Sequence, residues 1–297
     1  MDMLRAIVLG GVQGITEFLP ISSDGHLLLV RHLFGWADEG LSFDAALHLG
    51  TFFAVLVYFR TTWINLLRGR DPQLFWALVV GTIPAGLVGF LGQRLIAEEF
   101  RSLLVTGLSF IATAVLLFIA SRRERPWASQ AFTAPRQNAP PRGAGVHGEV
   151  LQSTRVGGAD TATQQNPQMP RPLGRGGFTP RRGFLIGCAQ IVALLPGLSR
   201  SGVTMTAGIL SGLSRERAVE FSFLLALPIT AAAGLEGIRT TVGNGFSPTL
   251  GIGVLAAFLS GFGAIHVFLR FVRTRTFMPF GVYLFVLGVV LTLWSVW

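Results

Sequence analysis

The stretch Glu17-Phe-Leu-Pro-Ile-Ser-Ser-Asp-Gly-His26 interrupts an apolar run over 4–35, and Leu195-Pro-Gly-Leu-Ser-Arg-Ser-Gly202 interrupts another over 183–212. Each sets Leu-Pro ahead of small hydroxyl and glycine residues and carries ionisable groups with it. Proline followed by Gly or Ser ends a helix. Broken backbone at bilayer depth survives only inside protein or against a wet cavity. A charge there costs roughly 2.5–3.5 kcal/mol on insertion scales, so its presence marks a site. The halves flanking each break are too short to cross a bilayer, and each run is expected to fold as a re-entrant helix–loop–helix pair.

Working outward, apolar stretches near the roughly 20 residues a span needs lie at 43–59, 74–93, 102–120, 217–239, 249–271 and 278–297. The 297 residues are 51% hydrophobic and 13% charged, with a mean hydropathy of +0.56. A soluble domain carries about 25% charge, so an all-α polytopic membrane protein is expected. Glu17 and Pro20 break the first apolar run and no small-residue cleavage site follows, so a cleaved signal peptide is not expected. Cys188 is the single cysteine, which excludes an intramolecular disulfide and a thiolate metal cluster. All 24 basic residues are arginine, which removes lysine-dependent Schiff-base and Walker-type chemistry. The net charge of +9 does not indicate nucleic acid, because the arginines cluster beside apolar segments.

Between 121 and 182 the composition turns to Pro, Gly, Arg, Gln and Thr without apolar periodicity, as in a disordered linker. It separates a first membrane repeat, 1–120, from a second, 183–297. The two match weakly at an offset of about 176 positions: Gly11 with Gly187, Leu19-Pro20 with Leu195-Pro196, Ser23 with Ser199, Asp44 with Glu220. Arginine placement orients the chain. Arg60, Arg68 and Arg70 in one loop, Arg122, Arg123, Arg125, Arg181 and Arg182 around the linker, Arg215 and Arg217, and Arg270, Arg273 and Arg275 all fall on one side. That side is the cytoplasm, with Asp38 and Glu39 opposite. Six full spans plus two re-entrant pairs then give two repeats of inverted topology. Paired interrupted helices of this kind point to a site at the repeat interface, and they also occur in transporters, so a polyprenyl-phosphate carrier is the alternative class.

Gln13 and Glu17 are four apart on one helical face, where their oxygens can hold a hard divalent cation completed by substrate oxygens and water. Ser22, Ser23, Asp24, Gly25 and His26 combine hydroxyl, carboxylate and imidazole, the ingredients of an activated nucleophile. In the second run, Arg200 offers a fork that matches phosphate oxygens. Gly197, Ser199, Ser201 and Gly202 let backbone N–H groups approach an anion at the start of a helix. The set fits phosphoryl transfer, where catalysis is mostly positioning and charge stabilisation. Asp44 and His48, also four apart, are expected to back this site.

Gln13-x-x-x-Glu17-Phe-Leu-Pro-Ile-Ser-Ser-x-Gly-His26, taken with Pro196-Gly-x-Ser-Arg-Ser-Gly202, closely resembles the undecaprenyl-diphosphate phosphatase family associated with bacitracin resistance. The resemblance implies a multi-pass enzyme of the bacterial inner membrane. It would remove the terminal phosphate of undecaprenyl diphosphate for lipid-carrier recycling in cell-wall synthesis, with Mg2+ or Ca2+ and a site open to the outer face. By position it places the family's glutamate-rich motif on Gln13 and Glu17, its Ser-Ser-x-Gly-His segment on Ser22 to His26 and its essential arginine on Arg200. Taken with the residue chemistry above, Glu17, Ser23, His26 and Arg200 are expected to be catalytic, and Ser22, Asp24, Gly25, Gly197, Ser199, Ser201 and Gly202 to contact substrate. The metal falls to Gln13 and Glu17. Substrate and membrane lipids are the implied partners, with no nucleic acid and with self-association into a homodimer as an option. The chain departs from the family in three places. Gln13 stands where many members have glutamate, Asp24 where threonine is common, and the linker is longer than usual. Type-2 phosphatidic acid phosphatases need a lysine this chain lacks, and no Gly-x-Ser-Gly nucleophile pairs with a histidine on a later span, as an intramembrane protease would require.

Overall fold

The computed structural model describes residues 2–37, 41–99, 102–123, 177–242 and 248–297. The acidic pair Asp38 and Glu39 and most of the expected linker, 124–176, lie outside the described residues. Among the described residues all regular structure is helical. The first half holds α1 (Met3–Phe18), α2 (Ser23–Phe34), α3 (Leu41–Tyr58), α4 (Arg60–Leu67), α5 (Pro72–Glu99) and α6 (Leu103–Arg123). The second holds α7 (Pro180–Val192), α8 (Arg200–Leu210), α9 (Arg215–Val242), α10 (Pro248–Thr274) and α11 (Met278–Val296). Helix thus enters the expected linker at both edges, over 121–123 and 180–182. At the second edge Thr179 accepts a hydrogen bond from the Arg182 N–H at 3.2 Å, with Pro180 in the first turn.

Five helices, α5, α6, α9, α10 and α11, are long and apolar enough to cross a membrane. A sixth crossing results if α3 and α4, bent by 74° where they meet, are counted together. This is a multi-pass membrane protein. The short α4 departs from the sequence expectation, which reads Arg60 to Arg70 as a loop. Leu66 is buried there and Trp63 packs on the core, so two apolar anchors hold a turn that its flanking arginines conceal.

Both interrupted runs form helix–turn–helix elements, α1–α2 around 19–22 and α7–α8 around 193–199. Each packs against the other half: α1 lies on α10, α7 on α5, while α6 meets α11 and α3 meets α9. Two seams of small residues make those approaches. A Cβ on Gly14 would fall 2.0 Å from Ser260 Oγ and 2.4 Å from the Ala257 carbonyl oxygen on α10. One on Gly187 would fall 2.2 Å from the Gly81 carbonyl oxygen on α5. Without a hydrophobic drive between helices in lipid, such close packing is what brings them together. Pro84 in α5 and Pro228 in α9 each lie inside a long helix, where proline removes a backbone hydrogen bond, one residue before Ala85 and Ile229, which line the central cavity.

The seams carry an expected outcome. Gly14→Val and Gly187→Val should each lower stability by about 1–3 kcal/mol through overpacking. Gly11→Ala, with nothing within 4 Å of the added carbon, should leave it equal or slightly higher. Thermal unfolding of the purified protein in detergent measures both, and a Gly14→Val protein as stable as its parent would contradict the seam.

Candidate active site

Two turns meet at one buried carboxylate. Leu19 ends α1 in an extended conformation, and Ser22 takes φ +69°, a strained value for a residue with a Cβ. That kink starts α2 at Ser23, whose Oγ–H donates to Glu17 Oε2 at 2.6 Å. Gln13 Nε2, one turn earlier on α1, donates to the same oxygen at 3.0 Å. From the other half, the Arg200 guanidinium donates to Glu17 Oε1 in an ion pair. The Ser201 hydroxyl adds a second bond between the turns, to the Leu19 carbonyl at 2.8 Å. Glu17 is 7% exposed, so a buried charge is held by three donors, as such a charge requires.

The second turn is braced by α6. Ser109 Oγ donates to the Pro196 carbonyl at 2.9 Å, and the Ser199 N–H donates to Thr113 Oγ1 at 3.3 Å. Gly197 sits at φ +82°, with its Cα facing the Thr106 backbone so closely that a Cβ would lie 2.9 Å away. Ser199 caps α8 by accepting from the Gly202 N–H at 3.1 Å. Arg200 is therefore the first residue of a capped helix aimed at Glu17.

Around these groups lies a cavity of about 140 Å³, lined by Glu17, Ser22, Ser23, Asp24 and His48 from the first half. Gln190, Leu198, Ser199, Arg200, Ser201 and Thr230 line it from the second. That volume is room for several waters or a compact polar group. Gly25, Gly197 and Gly202, expected to contact substrate, do not line it. Gly25 packs under the Phe110 ring, and Gly202 lies against Thr113 and Ser199, so all three shape the turns.

His26 also differs from expectation. Its Nδ1–H donates to the Ser22 carbonyl at 2.7 Å, and its Nε2 accepts from the Tyr283 hydroxyl at 2.8 Å. The ring lies between Phe110 and Tyr283, with centroids 5.3 and 5.8 Å away, and outside the cavity lining. One turn into α2, it reaches back to brace strained Ser22 and not toward the Ser23 hydroxyl. His48 is the imidazole on the cavity wall. Its Nδ1–H donates to the Asp44 carbonyl at 3.0 Å, and its Nε2 lies 3.7 Å from Glu17 Oε2. The Asp44 carboxylate turns away and pairs with Arg31 through two hydrogen bonds, one of 2.9 Å.

Gln190, Tyr283 and Arg31 were not picked out from sequence. Arg31 had a legible signal, since a charge within an apolar segment needs a mate, whereas Gln190 is a single neutral amide in an apolar run and had none. Tyr283 meets His26 across 257 residues with no local trace.

For a divalent cation, the chain offers the Glu17 carboxylate and the Gln13 Oε1, which is buried and without a hydrogen-bond partner. Among the described residues no three His, Cys, Asp or Glu side chains converge on a metal site. Gln13 does not line the cavity and turns its Nε2, not its Oε1, to Glu17. Of the two, only Glu17 borders the space where a hard cation would draw the rest of its shell from phosphate oxygens and water, and the set does not fit a closed protein cage.

A family model described as bacitracin resistance protein BacA matches residues 6–290. Among curated relatives, an undecaprenyl-diphosphatase of Hahella chejuensis is 37% identical, over 99% of this chain and 98% of its own. Undecaprenyl-diphosphatase 2 of Stutzerimonas stutzeri is 39% identical over 98% and 97%, and the undecaprenyl-diphosphatase of Colwellia psychrerythraea 38% identical over 100% of both. With that match running through both helix–turn–helix elements that build the cavity, the chain belongs to the bacitracin resistance protein BacA family.

Proposed function

We propose that this chain is an undecaprenyl-diphosphatase, releasing the terminal phosphate of undecaprenyl diphosphate so that undecaprenyl phosphate returns to cell-wall synthesis. One observation carries the chemistry: the Ser23 hydroxyl donates to Glu17 at 2.6 Å while Arg200, from the opposite turn, holds the other carboxylate oxygen. The diphosphate competes for Arg200, whose fork suits phosphate better than a single carboxylate oxygen. Glu17, relieved of its ion pair, takes the Ser23 proton. Ser23 Oγ then bonds to the terminal phosphorus as the bond from phosphorus to the bridging oxygen breaks. The departing lipid phosphate is a stable anion, with a second pKa near about 6 for such monoesters, so it needs no proton donor at the bridging oxygen. Water next adds to the phosphoserine phosphorus, Glu17 returns its proton to Ser23 Oγ, and both water hydrogens leave with inorganic phosphate. In this scheme His26 is a positioning residue for the Ser22–Ser23 turn. Glu17, with the Gln13 amide turned so that its Oε1 faces the carboxylate, would hold Mg2+ or Ca2+, which supplies charge neutralisation on the diphosphate.

The architecture we propose is two inverted-topology repeats, with six full spans and two re-entrant pairs, in the bacterial inner membrane. The reciprocal packing of α1 on α10 and α7 on α5 supports the repeat. The orientation is supported by a basic end, where the Arg182 guanidinium donates to the Gly177 carbonyl and Arg215 to the Val272 carbonyl. Arg217 lies beside Gly177 at that end. With that end read as cytoplasmic, we place the entry to the site at the outer face, where the prenyl tail stays in lipid.

Glu17→Gln should cut phosphate release about 10²–10⁴-fold as a lost general base, and Arg200→Ala about 10³–10⁵-fold as a lost charge clamp. Release from undecaprenyl diphosphate in detergent, by protein that still inserts, measures both, and full activity in either contradicts the scheme. Because a carrier releases no phosphate without a reaction, the same assay on the unaltered protein separates hydrolase from transporter. Chelation should abolish release, and Mg2+ or Ca2+ should restore it; unchanged release in excess chelator would remove the cation from the account.

A further inference from the structure

Gln190 closes the last full turn of α7, is 2% exposed, and has neither its Nε2 nor its Oε1 in any hydrogen bond. It is the one amide side chain among the described residues with both ends buried and unpaired. Leaving a buried polar group unsatisfied costs about 1–3 kcal/mol, and a leucine at this place would pack without that cost. The fold nevertheless aims it. Gly187, one turn earlier, is pressed against the Gly81 carbonyl, which fixes the rotation of α7 on α5. Ala85, one turn beyond Gly81, lines the cavity with only a methyl group, as Gln190 lines it from α7. Gln190 borders the same cavity as Glu17, Ser23 and Arg200, with its amide atoms sealed from water beside it, and no step described above uses it.

We propose that Gln190 is a phosphate-binding residue of this site, its partner being a phosphoryl group of the substrate. The inference rests on the hydrolase reading for the identity of that phosphate. An amide carries two N–H donors and one acceptor. The donors suit phosphate oxygens that Arg200 grips from the other turn, and the carbonyl accepts from the protonated oxygen of a phosphate or from water. Neutral donors beside a guanidinium add directional binding without repelling Arg200.

Gln190→Leu and Gln190→Glu in the full-length protein in detergent test this. Two readouts are needed: the thermal midpoint with and without inorganic phosphate, and kcat/KM for phosphate release from undecaprenyl diphosphate. For Gln190→Leu the midpoint without phosphate should equal or exceed the parent's, the upward shift caused by phosphate should shrink, and kcat/KM should fall about tenfold, equivalent to about 1.4 kcal/mol. Gln190→Glu keeps size and acceptor but sets a negative charge against the phosphate, so its kcat/KM should fall further than that of Gln190→Leu. An unchanged phosphate shift and kcat/KM in Gln190→Leu would overturn the proposal. So would a drop in its phosphate-free midpoint, which would make the amide a fold-holding group. If the unaltered protein releases no phosphate, the hydrolase reading fails, and the phosphate-dependent shift still decides Gln190 by itself.

Discussion

The ion pair between Glu17 and Arg200 is the constraint on which the site depends. A carboxylate 7% exposed in the middle of an apolar protein is costly unless donors surround it, and the chain provides them from both halves. Gln13 and Ser23 reach Glu17 from its own helix–turn–helix, and Arg200 reaches it from the other. Neither turn completes the site alone. The same pair keeps Arg200 charged, directed and close to the place where a phosphate would sit, so the resting contact and the working contact share one side chain.

Around that pair the fold solves a local difficulty, which is to keep interrupted backbone satisfied away from water. The second turn hands its carbonyl and N–H groups to Ser109 and Thr113 on α6. The first relies on His26, pinned by Tyr283, to hold the Ser22 carbonyl while Ser22 stays at φ +69°. Strain of this kind costs on the order of 1–3 kcal/mol and persists where surrounding contacts over-determine it. Here it turns the chain so that the Ser23 hydroxyl meets Glu17. The glycine seams at Gly14 and Gly187 set the two elements deep against α10 and α5, which places both turns at one level.

Much of this was legible in the sequence because the governing rules are local. Leu-Pro followed by small residues marks each break, and apolar runs of span length locate α3, α5, α6 and α9 to α11 within a few residues. Glu17 and Arg200 stand out as charges that an apolar segment keeps only for a purpose. What escaped depends on packing between distant segments. The serines and His26 lie together in sequence, which suggests a proton carrier, yet helical geometry returns the ring to the Ser22 carbonyl and across to Tyr283. Asp44 and His48 share a face, but the carboxylate finds Arg31 and only the imidazole reaches the cavity. Gln190 sits among Cys188, Ala189 and Ile191, where one amide in an apolar run carries no pattern. The bend into α4 is hidden by arginines that read as a loop.

A double-mutant cycle on Glu17→Gln and Arg200→Met, read as unfolding free energy in mixed micelles, tests the central contact most directly. Each single change should cost about 3–5 kcal/mol, because it strands a buried charge or its donors. The double change should cost less than the two together by about 1–3 kcal/mol, the range found for contacting pairs. Costs that simply add, within about 0.5 kcal/mol, would mean that the two turns do not meet through this pair.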